Sequence, residues 1–294
     1  MKIFKYFVLL SFLVSSLYSQ DESNFTFGIS SFHNTISNQD RIEKLTINLV
    51  EKIKKDYKKD FNVIFYKDEK VLLKDFKERK NIDAIVINPE TYFENKNMIK
   101  EISENPFIYK NSKVNYSQLL LIANKNSKIN SLKDLKNKVF MNTQYSQSYS
   151  IWLDYLYLKN THTAYENIIK NELFSSKPST ALLDVYFNKA DFCIIEKDVY
   201  ENMLILNPSL SKNLMIIEKS PEIFFASFTS IHKDTPQKSV DLINEIVDSK
   251  DFKNDFREFL KLINLDSASK IEFEDLKEME NFYEEYKELK KKYN

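Results

Sequence analysis

One glycine in 294 residues constrains this chain more than any other feature of its sequence. Glycine enters the left-handed backbone region without steric cost. Turns that need a positive φ must therefore fall to asparagine or aspartate. Gly28 alone also cannot build a phosphate loop. Walker-type and dinucleotide-binding fingerprints need several glycines so that backbone amides can close on a phosphate, and both are excluded. Lys, Asn, Ile and Phe are abundant instead, which reads as a bias of composition rather than of mechanism.

The N-terminus has the pattern of a secretion signal. Lys2 and Lys5 precede an apolar run, Tyr6 to Val14, and Ser15, Ser16 and Ser19 lead to Asp21-Glu22. That run is too short to span a bilayer, so residues 1–20 are expected to be removed. No cysteine follows it that could carry a lipid. Cys193 is the only cysteine, so the mature chain is expected to be soluble, periplasmic and without an internal disulfide. With 43 basic and 43 acidic residues mixed along the chain, charge gives no reason to expect nucleic acid as a partner.

Short apolar runs alternate with helical patterns. Phe25–Ser30, Asn62–Tyr66 and Ile82–Ile87 read as strands. Between them, Ile42, Leu45, Leu49 and Ile53 mark one helix, and Leu72, Leu73 and Phe76 a second one capped by Asp68. Asn88-Pro89 forms a helix start after the third strand. The logic then repeats. Gln118–Ala123, Val139–Met141 and Asp191–Ile195 read as strands, with helices at Ser148–Leu158 and Thr180–Phe187. Ser131 should cap a short helix that ends at Asn137 in a left-handed turn. Leu214–Ile217 adds a further candidate strand, and Phe224–Ile231 another. Two helices are expected from Gln237 to about Ile263, and a last one over Glu272–Tyr293. The expected class is α/β, with mostly parallel sheets flanked by helices.

The order of these segments resembles the periplasmic substrate-binding proteins of phosphonate, phosphite and phosphate ABC importers, which have a two-lobed type II binding-protein fold. Four places carry the resemblance: Ile82-Asp83-Ala84 with Asn88-Pro89-Glu90-Thr91-Tyr92; Ser131 to Val139; Ser146-Gln147-Ser148; and Ala190-Asp191 to Glu196 with Val199-Tyr200. It implies lobe 1 from 21–112 plus 222–265, lobe 2 from 113–221, and a C-terminal helix over 266–294, with a ligand cleft between the lobes and crossings near Ser112–Asn115 and Ser220–Phe224. It implies capture of a small anionic ligand and delivery to an ABC-transporter permease, by a monomer with no cofactor, no metal and no reaction. A ligand sensor for a membrane receptor or kinase, and an enzyme on the same fold, are the alternatives.

The candidate binding residues follow from this frame. Ser146, Gln147 and Ser148, with Thr143 before them, sit where a helix begins, and such a start offers free backbone N–H groups to an anion. The resemblance places the family's binding turn there, but with Gln147 for its threonine and Tyr149 for its glycine. Ser179-Thr180 stands for a His-Asp pair at a second helix start, and a pocket tyrosine falls near Glu69 or Lys70. Glu196 ends a strand and could face an amine or hydroxyl on the ligand. Ser30, Ser31, Asn88 and Tyr92 end strands of lobe 1 and form the facing wall, since ligands sit outside the carboxyl ends of strands in open α/β sheets. His33, His162 and His232 lack metal-ligand spacing, Cys193 reads as a buried inert thiol, and Ser148 is not in a hydrolase elbow.

Overall fold

The computed structural model describes residues 24–30, 36–58, 60–110, 115–143, 147–248 and 267–293. The expected signal segment, Ser31, Ser146 and the second helix expected before Ile263 lie outside them.

The first lobe opens with β1 (Asn24–Ser30), α1 (Ile36–Tyr57), β2 (Asp60–Tyr66), α2 (Glu69–Lys77), β3 (Ala84–Ile87), α3 (Pro89–Ile102) and β4 (Ser103–Lys110). Two caps set the helix starts. Asp68 accepts from the Lys70 backbone N–H at 2.8 Å. Asn88 accepts from the Thr91 N–H at 2.7 Å, with Pro89 in the first turn, where a missing N–H costs nothing. All four residues of β3 are buried, as a central strand demands.

The second lobe holds β5 (Ser117–Asn124), β6 (Val139–Thr143), α4 (Gln147–Thr161), β7 (Asn171–Ser175), α5 (Pro178–Tyr186), β8 (Phe192–Glu196), α6 (Lys197–Leu206), α7 (Leu210–Asn213) and β9 (Leu214–Phe224). The chain then returns to the first lobe with β10 (Ser227–His232), α8 (Gln237–Asp248), β11 (Ser267–Lys270) and α9 (Lys277–Tyr293). The sheet orders are β11-β4-β10-β3-β1-β2 and β7-β6-β8-β5-β9.

Both sheets are mixed, which corrects the expectation of mostly parallel ones. In the first, β1 runs parallel to β2 and β3, whereas β10 is antiparallel to β3 and β4, and β11 to β4. In the second, β6 is parallel to β7 and β8, whereas β5 is antiparallel to β8 and β9. The cause is the double crossing between lobes. The chain leaves on β4–β5 and returns on β9–β10, and the two passes are hydrogen-bonded neighbours running in opposite directions: Tyr109 pairs with Ser227 and Ser117 with Phe224.

The apolar run expected as one strand, Phe224–Ile231, is thus two: Phe224 ends β9, Phe225-Ala226 cross, and Ser227 begins β10. β9 extends well beyond the expected Ile217 and contains Pro221. A proline without an N–H is tolerated because β9 is an edge strand. Residues 267–270, expected in the C-terminal helical segment, form the edge strand β11.

Among the described residues, eight take positive φ: Lys58, Arg79, Asn81, Asn105, Lys128, Asn137, His162 and Asn188. Asparagine supplies half of them, including Asn137 as expected; aspartate supplies none, and Lys, Arg and His take the rest. Gly28 is not among them. Its reason is a close approach, since a Cβ there would stand 2.5 Å from Leu72 Cδ1.

Among the described residues, three apolar clusters hold the molecule. One lies under α1 and α8, around Phe25, Phe61 and Phe107. A second lies under α5 and α6, around Leu182, Cys193 and Ile195. The largest is continuous across both lobes. It joins Leu72, Phe76 and Ile87 of the first to Leu121, Phe140 and Trp152 of the second, and Met279, Phe282 and Tyr283 of α9 belong to it.

Candidate functional site

The parallel strands of the first lobe bring three donors to one carboxylate. Glu69, the first residue of α2, accepts from Ser30 Oγ at 2.5 Å and Asn88 Nδ2 at 3.0 Å through Oε1. Its Oε2 accepts from the Thr91 hydroxyl. Ser30 ends β1, Glu69 follows β2 and Asn88 follows β3, so this cluster marks the carboxyl end of the lobe-1 sheet. Ser30 and Asn88, expected on the wall facing the ligand, both donate to a side chain of the same protein. The resemblance placed a pocket tyrosine near Glu69 or Lys70, and Glu69 acts here as an acceptor.

Across the cleft lies the start of α4. Thr143 ends β6 and is buried, its N–H donating to the Asn142 side chain at 2.8 Å. Gln147 and Ser148 form the first turn of α4. Ser148, 8% exposed, donates its hydroxyl to Glu90 Oε1 at 2.8 Å. Glu90 is the second residue of α3, in the opposite lobe. Two helix N-termini, one from each lobe, therefore meet at a carboxylate. The same Oε1 accepts from the Tyr283 hydroxyl of α9 at 2.9 Å. Burial pushes the Glu90 carboxyl above its ordinary value. Its own backbone N–H and the hydroxyls of Ser148 and Tyr283 oppose that rise, and the nearby Glu69 charge adds to it.

Tyr149 follows Ser148 in the first turn of α4. It is fully buried, with its hydroxyl bonded to Glu196, and burial followed by that carboxylate pushes its pKa well up. Glu196 ends β8 and precedes α6. The Tyr149–Glu196 bond thus ties the first turn of α4 to the next strand end of the same sheet, close to Ser148. The Tyr149 ring is packed in the core cluster that spans both lobes.

Three of the sequence-derived candidates are not brought together with Ser148 by any described contact. Tyr92 is fully buried, its ring against Phe228 and Phe93, and its hydroxyl donates to Glu280 of α9 at 3.1 Å. It packs the first lobe onto the last helix. Ser179 and Thr180 lie in the first turn of α5, but Lys177 is the cap and makes no side-chain cap bond. Ser179 is half-buried and Thr180 exposed.

Helix α9 reaches both lobes. Glu280 pairs with Lys96 and Lys100 of α3, and Tyr283 stacks on Phe93 with ring centroids 4.4 Å apart. On the other side Glu285 accepts from Tyr155 and pairs with Lys159, and Tyr286 donates to Asp154. The apolar face of this helix was legible in Leu276, Met279, Tyr283 and Tyr286. Its bridge to Glu90 was not, because a glutamate in a first helical turn is ordinary for the macrodipole alone.

Cys193 is buried and its thiol is pushed up by burial, which leaves no thiolate for nucleophilic chemistry. Among the described residues no group of three His, Cys, Asp or Glu side chains is placed to hold a metal ion. No described helix is long and apolar enough to cross a membrane.

Two sheets flanked by helices, linked by a double crossing and facing each other through strand ends and helix starts, define a two-lobed binding protein of the type II periplasmic class. The sequence matches the family described as "ABC transporter, phosphonate, periplasmic substrate-binding protein" over residues 33–276, and the chain belongs to that family. Solved structures agree in fold. A binding protein component of an ABC phosphonate transporter from Pseudomonas aeruginosa is 17% identical, with a TM-score of 0.59 over 92% of this chain and 89% of that one. PhnD1 from Prochlorococcus marinus, in complex with methylphosphonate, is 18% identical, with a TM-score of 0.58 over 90% and 99%. A chloride-bound protein from Xanthomonas citri is 9% identical, with a TM-score of 0.64 over 92% and 99%. No curated protein sequence matches the chain.

Proposed function

We propose that this chain captures a small oxyanion of the phosphonate, phosphite or phosphate kind in the cleft between its lobes and hands it to an ABC-importer permease. The observation that carries this reading is Ser148. It stands in the first turn of a fifteen-residue helix, at the lobe boundary, with its hydroxyl already on a carboxylate. Helix starts favour anions through free N–H groups and the macrodipole. Hydroxyl donors there form charge-assisted bonds, about twice as strong as neutral ones. Thr143, Ser146, Gln147 and Ser148 would hold the oxyanion, with Glu196 beside them. Tyr92, Ser179 and Thr180 have no described contact that supports a part in it, and Ser31 lies outside the described residues. Membership of the family and the methylphosphonate bound by PhnD1 support the ligand class.

In this reading residues 1–20 are a cleaved signal, the mature monomer works in the periplasm, and the lobes, 21–112 with 222–265 and 113–221, close by rotation about the paired crossings. A thermal-shift screen of phosphate, phosphite, phosphonates, sulfonates and carboxylates tests it, because binding to the folded state alone raises the melting temperature. An oxyanion should stabilise the wild type, and the Ser146→Ala, Ser148→Ala double variant should lose most of that shift. Stabilisation only by a neutral or cationic molecule, or an undiminished shift in the double variant, would sink the proposal.

A further inference from the structure

We propose that Glu90 is a built-in competitor for the oxyanion seat, so that it sets which anions the cleft accepts and how tightly. The inference rests on the proposed function and deepens it.

The Ser148 hydroxyl has one proton to donate, and in this structure it goes to Glu90 Oε1 at 2.8 Å. Glu90 is held for that contact. It sits in the first turn of α3, after the Asn88 cap and Pro89, and only 8% of it is exposed. Tyr283 donates to the same oxygen from α9 at 2.9 Å. Tyr283 is itself locked by its stack on Phe93 and by the cluster that contains Met279 and Phe282. The carboxylate thus lies between two positive helix ends and two hydroxyl donors, an arrangement suited to any small oxyanion.

An incoming anion faces two costs there. It must take the Ser148 proton from a carboxylate already bonded to it. It must also share a water-poor space with that carboxylate and with Glu69, whose charge already acts on Glu90. The Glu69 side chain likewise holds the Ser30, Asn88 and Thr91 donors of the facing wall. An anion that arrives protonated, or that carries a hydroxyl or amine able to donate to Glu90, escapes both costs. A fully ionised, donor-free anion pays both. Selectivity for one group over another is strongest where a buried partner would otherwise be left unpaired.

Glu90→Gln keeps the shape and the acceptor but removes the charge. Binding of inorganic phosphate and methylphosphonate is measured by titration calorimetry at about pH 7.5 on wild type, Glu90→Gln and Glu90→Gln with Ser148→Ala, each checked for folding by near-ultraviolet circular dichroism. Glu90→Gln should bind at least one of the two about tenfold more tightly than wild type, and Ser148→Ala on that background should remove the gain. Tyr283→Phe keeps the charge but removes one of its donors. With Tyr283 gone the carboxylate draws harder on Ser148, so this variant should weaken anion binding by a smaller factor, and it decides the question if Glu90→Gln does not fold. Wild-type binding that is unchanged or weakened in Glu90→Gln, or, where that variant does not fold, unchanged or strengthened in Tyr283→Phe, overturns the competitor and leaves the oxyanion reading standing. No binding of either anion by wild type or any variant overturns both.

Discussion

The hydroxyl of Tyr286 donates to Asp154 Oδ2 at 3.0 Å, joining the last helix to α4 of the second lobe. Asp154 is buried, and its other oxygen accepts from the Tyr165 N–H at 3.1 Å. Removing the phenol leaves a buried carboxylate short of a donor, which costs more than the bond itself contributes. Tyr286→Phe should lower stability by about 1–3 kcal/mol in urea unfolding near neutral pH. Lys290, half exposed and 3.7 Å from the same carboxylate, should matter far less: Lys290→Ala is expected to cost about 0.5 kcal/mol or less. Equal costs for the two would show that the bond carries no special weight.

The buried carboxyl of Glu90 makes stability depend on pH in a definite direction. Its folded-state pKa is raised above the ordinary 4.5, chiefly by burial, with Glu69 adding to the rise and Ser148 and Tyr283 opposing it. Between the two values the folded protein keeps a proton that the unfolded chain has released. Stability from this group is full below the unfolded pKa and is lost as pH rises through the folded one. Urea midpoints of wild type and Glu90→Gln, compared from about pH 4 to pH 8, should diverge, with the variant gaining on wild type as pH rises. Parallel curves would show that Glu90 ionises alike in both states.

Gly28 is required by space rather than by backbone conformation. An added Cβ would stand 2.5 Å from Leu72 Cδ1 and 3.2 Å from Ile82 Cγ2, both side chains in the buried core. Overpacking of this kind typically costs about 1–3 kcal/mol. Gly28→Ala should lower the urea midpoint accordingly, and Leu72→Ala introduced with it should recover part of the local strain while opening a cavity of its own. An alanine variant as stable as wild type would mean that Leu72 has a second rotamer at no cost.

Cys193 should behave as a core atom. It lies in β8, fully buried beside Leu182 and Ile195, with its thiol pushed up by burial. Thiol reagents should label it only as fast as the protein unfolds, and at once in denaturant. Rapid labelling of the native protein would require a local opening of β8.

The parts of the fold that sequence revealed were those whose signal is local. Asp68 and Asn88-Pro89 mark helix starts because capping involves residues two or three apart. β3 reads as a strand because all its residues are apolar. β4 did not read so, since it carries Asn105 at positive φ and Pro106 beside a register shift against β10. β7 was missed because it is a half-exposed edge strand with no alternation to detect.

At the site, Ser148 was legible as a helix-start hydroxyl, but its partner was not. Glu90 is 58 residues away in sequence and Tyr283 is 193 from Glu90, and no periodicity links such distances. Tyr92 shows the converse. Its position after a strand suggested the cleft wall, yet the ring lies against Phe228 and the hydroxyl on Glu280, because α9 packs over that face. Long-range packing decides which way a side chain turns, and the decisive element comes last in the chain.

The place of β10 between β3 and β4 also fixes an order of assembly. The strands of the second sheet, from Ser117 to Phe224, are continuous in sequence and can pair as soon as they have all been made. The first sheet cannot. Its two early portions, β1 to β3 on one side and β4 on the other, have no direct ladder until Ser227–His232 arrives to join them. Pairings that span so much chain form slowly, because loop closure must precede the contacts that reward it. In refolding followed by pulsed hydrogen exchange, amides of β5, β6 and β8 should gain protection before those of β3 and β10. The opposite order would show that the lobes assemble independently of their threading. A ribosome delivers the first lobe's early strands before anything else, yet the topology holds them unfinished until the second lobe is made.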